Sequence, residues 1–467
     1  MNSEAANFRA WRTSMNSRKS FRISAIALGL LLCSHSCLAG ETRRLTHAEA
    51  VRLAIEQNRT LKIARLKVKE NEYKKDAARS AYFPTITNES DAVHISELQA
   101  LSIPQGAFGV ISGVAIPAQN TNLPQGKQTL YSSGTTIAQP LLAQLLRIHQ
   151  ENRAAAAEIA SSRDELRNGE NEVALQVHAL YYGILVAQLQ KKAAERETAF
   201  ASETLRENEH DVQGGSVLEV SAIQSRAALL ESQQAVLTAD LQIRDYTTEL
   251  NDLLGLPLDT QLELQPEDAT HFEALSKADC IKAAWDENPE IQSAEATIEK
   301  ARAGVAAAKT AYIPDVTAFA RHRYQDGVPF LERNFGTVGI TVNYTLWDFG
   351  KRRANVRESQ TELAEAEQNL ERLKDQVAVE IESSYNKVER TRSMVNVALQ
   401  VAKLREESER LAGNQQQHGL ILVSDVRQAS AANYKAKADL LQANLAYLLA
   451  WAELQRTMGR TPGTIGQ

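Results

Sequence analysis

Apolar residues return every third or fourth position through most of the chain, and strictly seven apart in two stretches. Val356, Leu363, Leu370 and Val377 form one series; Val426, Leu440, Tyr447 and Leu454, with the polar Asn433 at one place of the repeat, form another. A seven-residue period predicts long helices that supercoil on one another with a left-handed twist. The pattern predicts helices over about 46–57, 60–81, 142–212 and 218–254, and a second set over about 277–287, 289–311, 349–412 and 422–458. The longest, at about 65 to 70 residues, would reach about 100 Å. The two shorter helices flanking each long one sum to nearly its length, so the simplest packing lays them end to end beside it.

Between the helices the period changes from 3.5 to 2. From Gly336 to Trp347, Val338, Ile340, Val342, Tyr344 and Leu346 alternate with Thr337, Gly339, Thr341, Asn343 and Thr345. Apolar-out, polar-in alternation over about 10 residues is the pattern of a transmembrane barrel strand, though alternation alone also fits a half-buried hairpin of a soluble protein. Trp347 and Phe349 follow as interfacial aromatics. A preceding strand is predicted at Val316–Arg323, where Val316, Ala318 and Ala320 alternate with Thr317 and Phe319. The earlier counterpart is weaker: Thr135, Ile137 and Gln139 alternate poorly, and Pro140 is expected to end the run. Four strands cannot close a barrel, so a membrane-crossing reading requires several copies.

The two helix sets are copies of one unit. At an offset of 230, Leu45, Ala48, Ala54, Asn58, Ala64, Ala78, Ala81, Tyr82, Pro84 and Thr87 recur as Leu275, Ala278, Ala284, Asn288, Ala294, Ala308, Ala311, Tyr312, Pro314 and Thr317. Further along, at an offset of 204, Tyr181, Gly215, Leu218, Leu250 and Gly255 recur as Tyr385, Gly419, Leu422, Leu454 and Gly459. The 26-residue difference places extra chain in the first copy, within the Pro- and Gly-rich stretch Leu101–Gln128. The expected organisation is a leader (1–39), a first repeat (40–254, hairpin about 82–140, coiled coil about 142–254), a linker (255–274), a second repeat (275–459, hairpin about 312–347, coiled coil about 349–458) and a tail (460–467).

Composition narrows the function. The chain has 467 residues and a formal charge of −6; its first 39 hold five basic side chains and one acidic, leaving −10 for the rest. That acidic balance opposes nucleic-acid binding. Arg18, Lys19 and Arg22 before the apolar run Ile23–Leu32 read as an export signal, cleaved after Ala39, with Met15 as an alternative start. Cys280 would then be the one remaining cysteine, a small buried apolar residue. No phosphate loop, HExxH, cysteine pair or Gly-x-Ser-x-Gly occurs, so neither a cofactor, a metal nor an enzyme activity is expected. His210 and His418 read as solvated loop residues, and Met394 and Met458 as packing residues.

With its duplicated Tyr82-Phe83-Pro84 and Tyr312-Ile313-Pro314, the helix ends Leu254-Gly255-Leu256-Pro257 and Met458-Gly459, and the turns Gly214–Val220 and Gly419–Val426, the chain resembles the TolC family of outer-membrane efflux proteins. The resemblance covers essentially the whole mature chain. It implies an α+β membrane protein whose long coiled-coil helices form a periplasmic α-barrel, with four strands per chain in a 12-stranded transmembrane β-barrel shared by a homotrimer. It implies an outer-membrane channel of a tripartite efflux or type I secretion system that extends into the periplasm. Its partners would be a periplasmic adaptor, an inner-membrane pump and outer-membrane lipid. The adaptor would dock at the tips: Gly214, Gly215, Val217, Leu218, Gly419, Leu420 and Val423. The family's acidic aperture positions fall on Asp425 and Gln428, with Ser221 the first-copy counterpart and Glu219 a further acid if it turns inward. The aperture reading is preferred for Asp425 over that of a plain first-turn acid, although the start of a helix favours an acid there in either case. The competing class is a periplasmic coiled-coil scaffold without a pore; the alternation from Val338 to Leu346 opposes it.

Overall fold

The computed structural model describes residues 43–124, 126–265, 276–328 and 332–461; the expected leader and much of the linker lie outside them. Eight helices follow the duplicated pattern: α1 (His47–Gln57), α2 (Arg59–Ser80), α3 (Ala143–Gln213) and α4 (Glu219–Leu253), then α5 (Lys277–Glu287), α6 (Pro289–Lys309), α7 (Lys351–Gln417) and α8 (Val423–Thr457). At 71 and 67 residues, α3 and α7 span about 100 Å each. α7 runs five residues past its expected end. Nothing between Gly413 and Gln417 stops it; the turn waits for Gly419, whose φ of +70° a side chain would resist. α3 packs against α2 and α4 along its length, and α7 against α6 and α8, so each pair of shorter helices lies beside one long one. α3 also packs on α6 and α8, joining the repeats, whereas α7 has no comparable seam with α2 or α4.

The repeats share their fastenings. Asn58 and Asn288 each cap a helix: their Oδ1 atoms accept from the N–H groups of Thr60 and Leu61, and of Glu290 and Ile291. Each also donates through Nδ2 to the end of its own coiled-coil helix, to Leu253 O at 3.4 Å and Thr457 O at 2.8 Å. One asparagine therefore fixes a helix start to a helix end in each half. A three-residue parallel pair, β1 (Arg43–Leu45) with β8 (Leu262–Leu264), lies at the same level. The fully buried Tyr181 hydroxyl shares its one proton between Gln265 O at 2.7 Å and Leu45 O at 3.0 Å and accepts from Gln265 N–H, tying that pair to α3. Two apolar cores form here, one around Tyr181, Leu250 and Leu254, the other around Cys280, Ile381, Trp451 and Met458.

Four antiparallel strands form the largest sheet: β2 (Thr85–His94), β7 (Thr129–Leu142), β9 (Asp315–Asp326) and β10 (Asn334–Asn343), in the order β10-β9-β7-β2. β10 ends at Asn343, so Tyr344 to Trp347 lie beyond it; the alternation continues there, but the hydrogen-bonding partner stops at Asp315. Pro140 does not end β7. Pairing with β2 stops at Ala138, so at Pro140 only the β9 side of the strand is engaged, and a missing N–H on the other side is tolerated. The extra chain of the first repeat is not a plain loop: it holds β3 (Ala100–Ile103) paired with β6 (Thr121–Pro124), and β4 (Val110–Ile111) paired with β5 (Val114–Ala115). No helix among the described residues is long and apolar enough to cross a membrane.

Candidate functional site at the hairpin tips

α3 turns into α4, and α7 into α8, by the same device. Gly215 and Gly419 sit at φ values of +72° and +70°. Around the first, Ser216 N–H reaches Asp211 O at 2.9 Å and Gly215 N–H reaches Val212 O at 3.0 Å. Around the second, Leu420 N–H reaches Gln415 O and Gly419 N–H reaches Gln416 O. These paired bonds satisfy the last free carbonyls of each long helix. A Cβ at either glycine would meet nothing within 4 Å, so the backbone angle alone selects glycine. Both turns fall at one end of the molecule because α3 packs beside α8; Arg196 stacks over the Tyr434 ring at 4.8 Å across that seam.

Below the turns the hairpins are cross-linked by polar groups. Asn208 on α3 donates to Ser225 on α4 at 2.6 Å, Asn433 on α8 donates to Glu409 on α7, and Lys437 pairs with Glu406 at 3.0 Å. The tips are therefore held in place while their apolar residues stay uncovered. Leu218 and Leu420 are 76% and 72% exposed. Gly214, Gly215, Gly419 and Val423 are also exposed, whereas Val217 is half-buried. Leu422, absent from the sequence-based tip set, is 62% exposed. Its place as the repeat partner of Leu218 was the signal for it.

Asp425 and Gln428 are exposed on the first two turns of α8; Glu219 is exposed and Ser221 half-buried at the start of α4. One oxygen of Asp425 is already engaged, because its Oδ2 accepts from Leu422 N–H at 3.0 Å and satisfies a free donor at the helix start. The second carboxylate oxygen is left for other partners. His210 stands exposed near the first turn, 3.7 Å from Asp211. Among the described residues, no three His, Cys, Asp or Glu side chains gather in a way that could hold a metal ion.

A second feature was not read from the sequence. α4 carries two heptad seams on opposite faces. Ser225, Ser232 and Ala239 are buried against α3, while Ile223, Leu230 and Leu237, with Val220 and Leu241, face outward uncovered. α7 repeats the arrangement. Val377, Ile381, Ser384, Val388, Thr391 and Ala402 are buried, while Met394, Val397, Val401, Leu404 and Leu411 are exposed at spacings of three, four and seven. Met394, expected as a packing residue, is 57% exposed on this free seam because its own chain offers it no partner.

The sequence model of the family described as "Outer membrane efflux protein" matches residues 280–460. The chain is 24% identical over 251 residues to the outer membrane efflux protein BepC of Brucella suis, covering 52% of this chain and 54% of that protein. It is 27% identical over 207 residues to protein CyaE of Bordetella pertussis, covering 43% of each. These matches thus span about half the length of both relatives. The fold is similar to the CmeC outer membrane channel of Campylobacter jejuni, with a TM-score of 0.70 at 16% identity over 88% of this chain and 85% of that one. The family's sequence pattern thus runs through most of the second repeat, and the fold of solved outer-membrane channels is shared along almost the whole chain.

Proposed function

We propose that this chain is one third of an outer-membrane channel, a passive conduit from periplasm to exterior serving a tripartite efflux or type I secretion system. The observation that carries the reading is a four-stranded sheet with both edges open. β2 and β10 each have one neighbour, and the β10 side chains Val338, Ile340 and Val342 are 85%, 67% and 60% exposed. Open apolar edges are not stable as such. Three copies joined β10 to β2 supply 12 strands, enough to enclose a water-filled lumen. The free helical seams agree with this closure: α7, without α2 and α4 of its own chain, receives those of the next copy. In that assembly Val397, Leu404 and Leu411 interlock with Ile223, Leu230 and Leu237 as a second coiled coil.

At the far end, Asp425 of three copies lines the aperture, with Gln428, Ser221 and Glu219 around it, and the exposed leucines at the tips dock a periplasmic adaptor that leads to an inner-membrane pump. Native mass measurement of the detergent-extracted protein is expected to give a trimer, and planar bilayers containing it are expected to conduct ions. A stable monomer, or a trimer without conductance, would overturn the reading.

A further inference from the structure

The first repeat carries a built structure that the second lacks. β9 leads to β10 through seven residues, 327–333, whereas β2 leads to β7 through 34, 95–128. Within that connection, 29 consecutive residues, 98–126, contain no Asp, Glu, Lys, Arg or His, in a chain that is 24% charged. The described residues of the segment, 98–124 and 126, are ordered by hydrogen bonds of their own. Ser112 and Gly113, both at positive φ, close β4 on β5; Phe108 N–H reaches Ile116 O at 2.9 Å and Gln105 N–H reaches Asn120 Oδ1 at 2.8 Å. Its root is fixed to the neighbouring turn, since Lys127 N–H donates to Gly327 O at 3.1 Å and Lys127 Nζ pairs with Asp326 at 2.8 Å. Yet its apolar side chains are uncovered: Phe108, Val110, Ile111 and Val114 are 58–70% exposed.

We infer that this hairpin packs against its two symmetry mates to form a lid over the outer mouth of the channel. The inference rests on the trimeric reading above. Closing the sheet sets three hairpins on one rim around one axis, at the end of the strands remote from the helices. Four β3–β6 pairs and two β4–β5 pairs, at about 3.4 Å per residue, give roughly 20 Å of reach. A 12-stranded barrel has a radius of only about 12 Å, so the tips can meet at the axis. Identical surfaces without charge approach one another with no Coulomb penalty, and meeting removes exposed apolar area from water. The charged head groups of a membrane surface offer such a segment nothing to pair with.

The test uses the full chain. Ile111→Cys on a Cys280→Ala background, oxidised in the assembled trimer, is expected to link protomers on a non-reducing gel. Replacing 98–126 by a short Gly-Ser link is expected to reduce the time the channel spends closed in planar bilayers. The cross-link is read on the full-length hairpin and does not depend on the shortened variant folding. An intact trimer with no cross-link overturns the lid, as does quenching of a Phe108→Trp variant by brominated lipid, which would place the hairpin in the bilayer. A wild-type chain that fails to trimerise overturns the channel reading and the lid together.

Discussion

His47, at the start of α1, lies with its ring centroid 4.1 Å from that of His178 on α3, and 5.4 Å from those of Tyr181 and Tyr182. Burial, and then the neighbouring His178, lower its pKa to about 3. The folded chain therefore holds His47 neutral, while the unfolded chain binds a proton near the ordinary histidine value. The resulting stability is complete above about pH 6.5 and is lost as pH falls toward about 3, at up to about 1.4 kcal/mol per pH unit. His47→Leu is expected to flatten the decline of the thermal midpoint on acidification; an equal decline in both proteins would refute this. Asp425 calls for a different substitution. Asn preserves the bond from Leu422 N–H and removes only the charge, so Asp425→Asn should change stability by less than about 0.5 kcal/mol. If the residue lines the aperture, the same variant should lose cation preference in planar bilayers, and unchanged selectivity would remove it from that role. The duplicated glycines and Asn58 with Asn288 were legible because each answers a local backbone demand. The histidine pair was not, since its members are 131 positions apart and only folding brings them together.

Helices were legible to within one or two residues at ends such as Asn58, Asn288 and Gly215, whereas α7 ran five residues past its expected end to the turn at Gly419. Strands were less so. Alternation reports which face a side chain takes, and it says nothing of where the neighbouring strand stops, which decides β10 at Asn343 and β7 beyond Pro140. The outward seams were hidden by a different cause: α4 and α7 each carry two heptad registers, and periodicity alone cannot say which one the chain covers itself. Their separation gives a prediction specific to these elements. Leu230→Glu with Leu237→Glu places charge on the uncovered face of α4, opposite Ser232. The helical signal in circular dichroism should persist, because both side chains are already exposed within one chain. The trimer should weaken, because an unpaired charge buried in the interface costs several kcal/mol. A double variant that keeps wild-type trimer stability would show that this seam faces no neighbour.

At the scale of the whole molecule, one chain joins two kinds of open edge, a sheet that must pair sideways and long helices whose free faces run parallel to it. In the proposed trimer both would be satisfied by the same rotation about one axis, so that a single repeat unit, duplicated, would suffice for a tube more than 100 Å long. The tips lie that full helix length from the strands, so a change at a tip can reach the barrel only through packed helices or through a partner. Leu420 is the better probe than Gly419 for that reason. A bulky residue at Gly419 would strain a backbone held at φ +70°, mixing turn failure with lost docking. Leu420 is 72% exposed, and its N–H already serves the turn whatever its side chain. Leu420→Arg should therefore leave trimer assembly, membrane insertion and bilayer conductance unchanged while abolishing export in cells, with Leu218→Arg adding to the effect through the other tip. Conductance altered in the purified variant would mean that the tip acts on the pore directly. Full export with Leu218 and Leu420 both replaced would mean that the adaptor holds the tube elsewhere along its length.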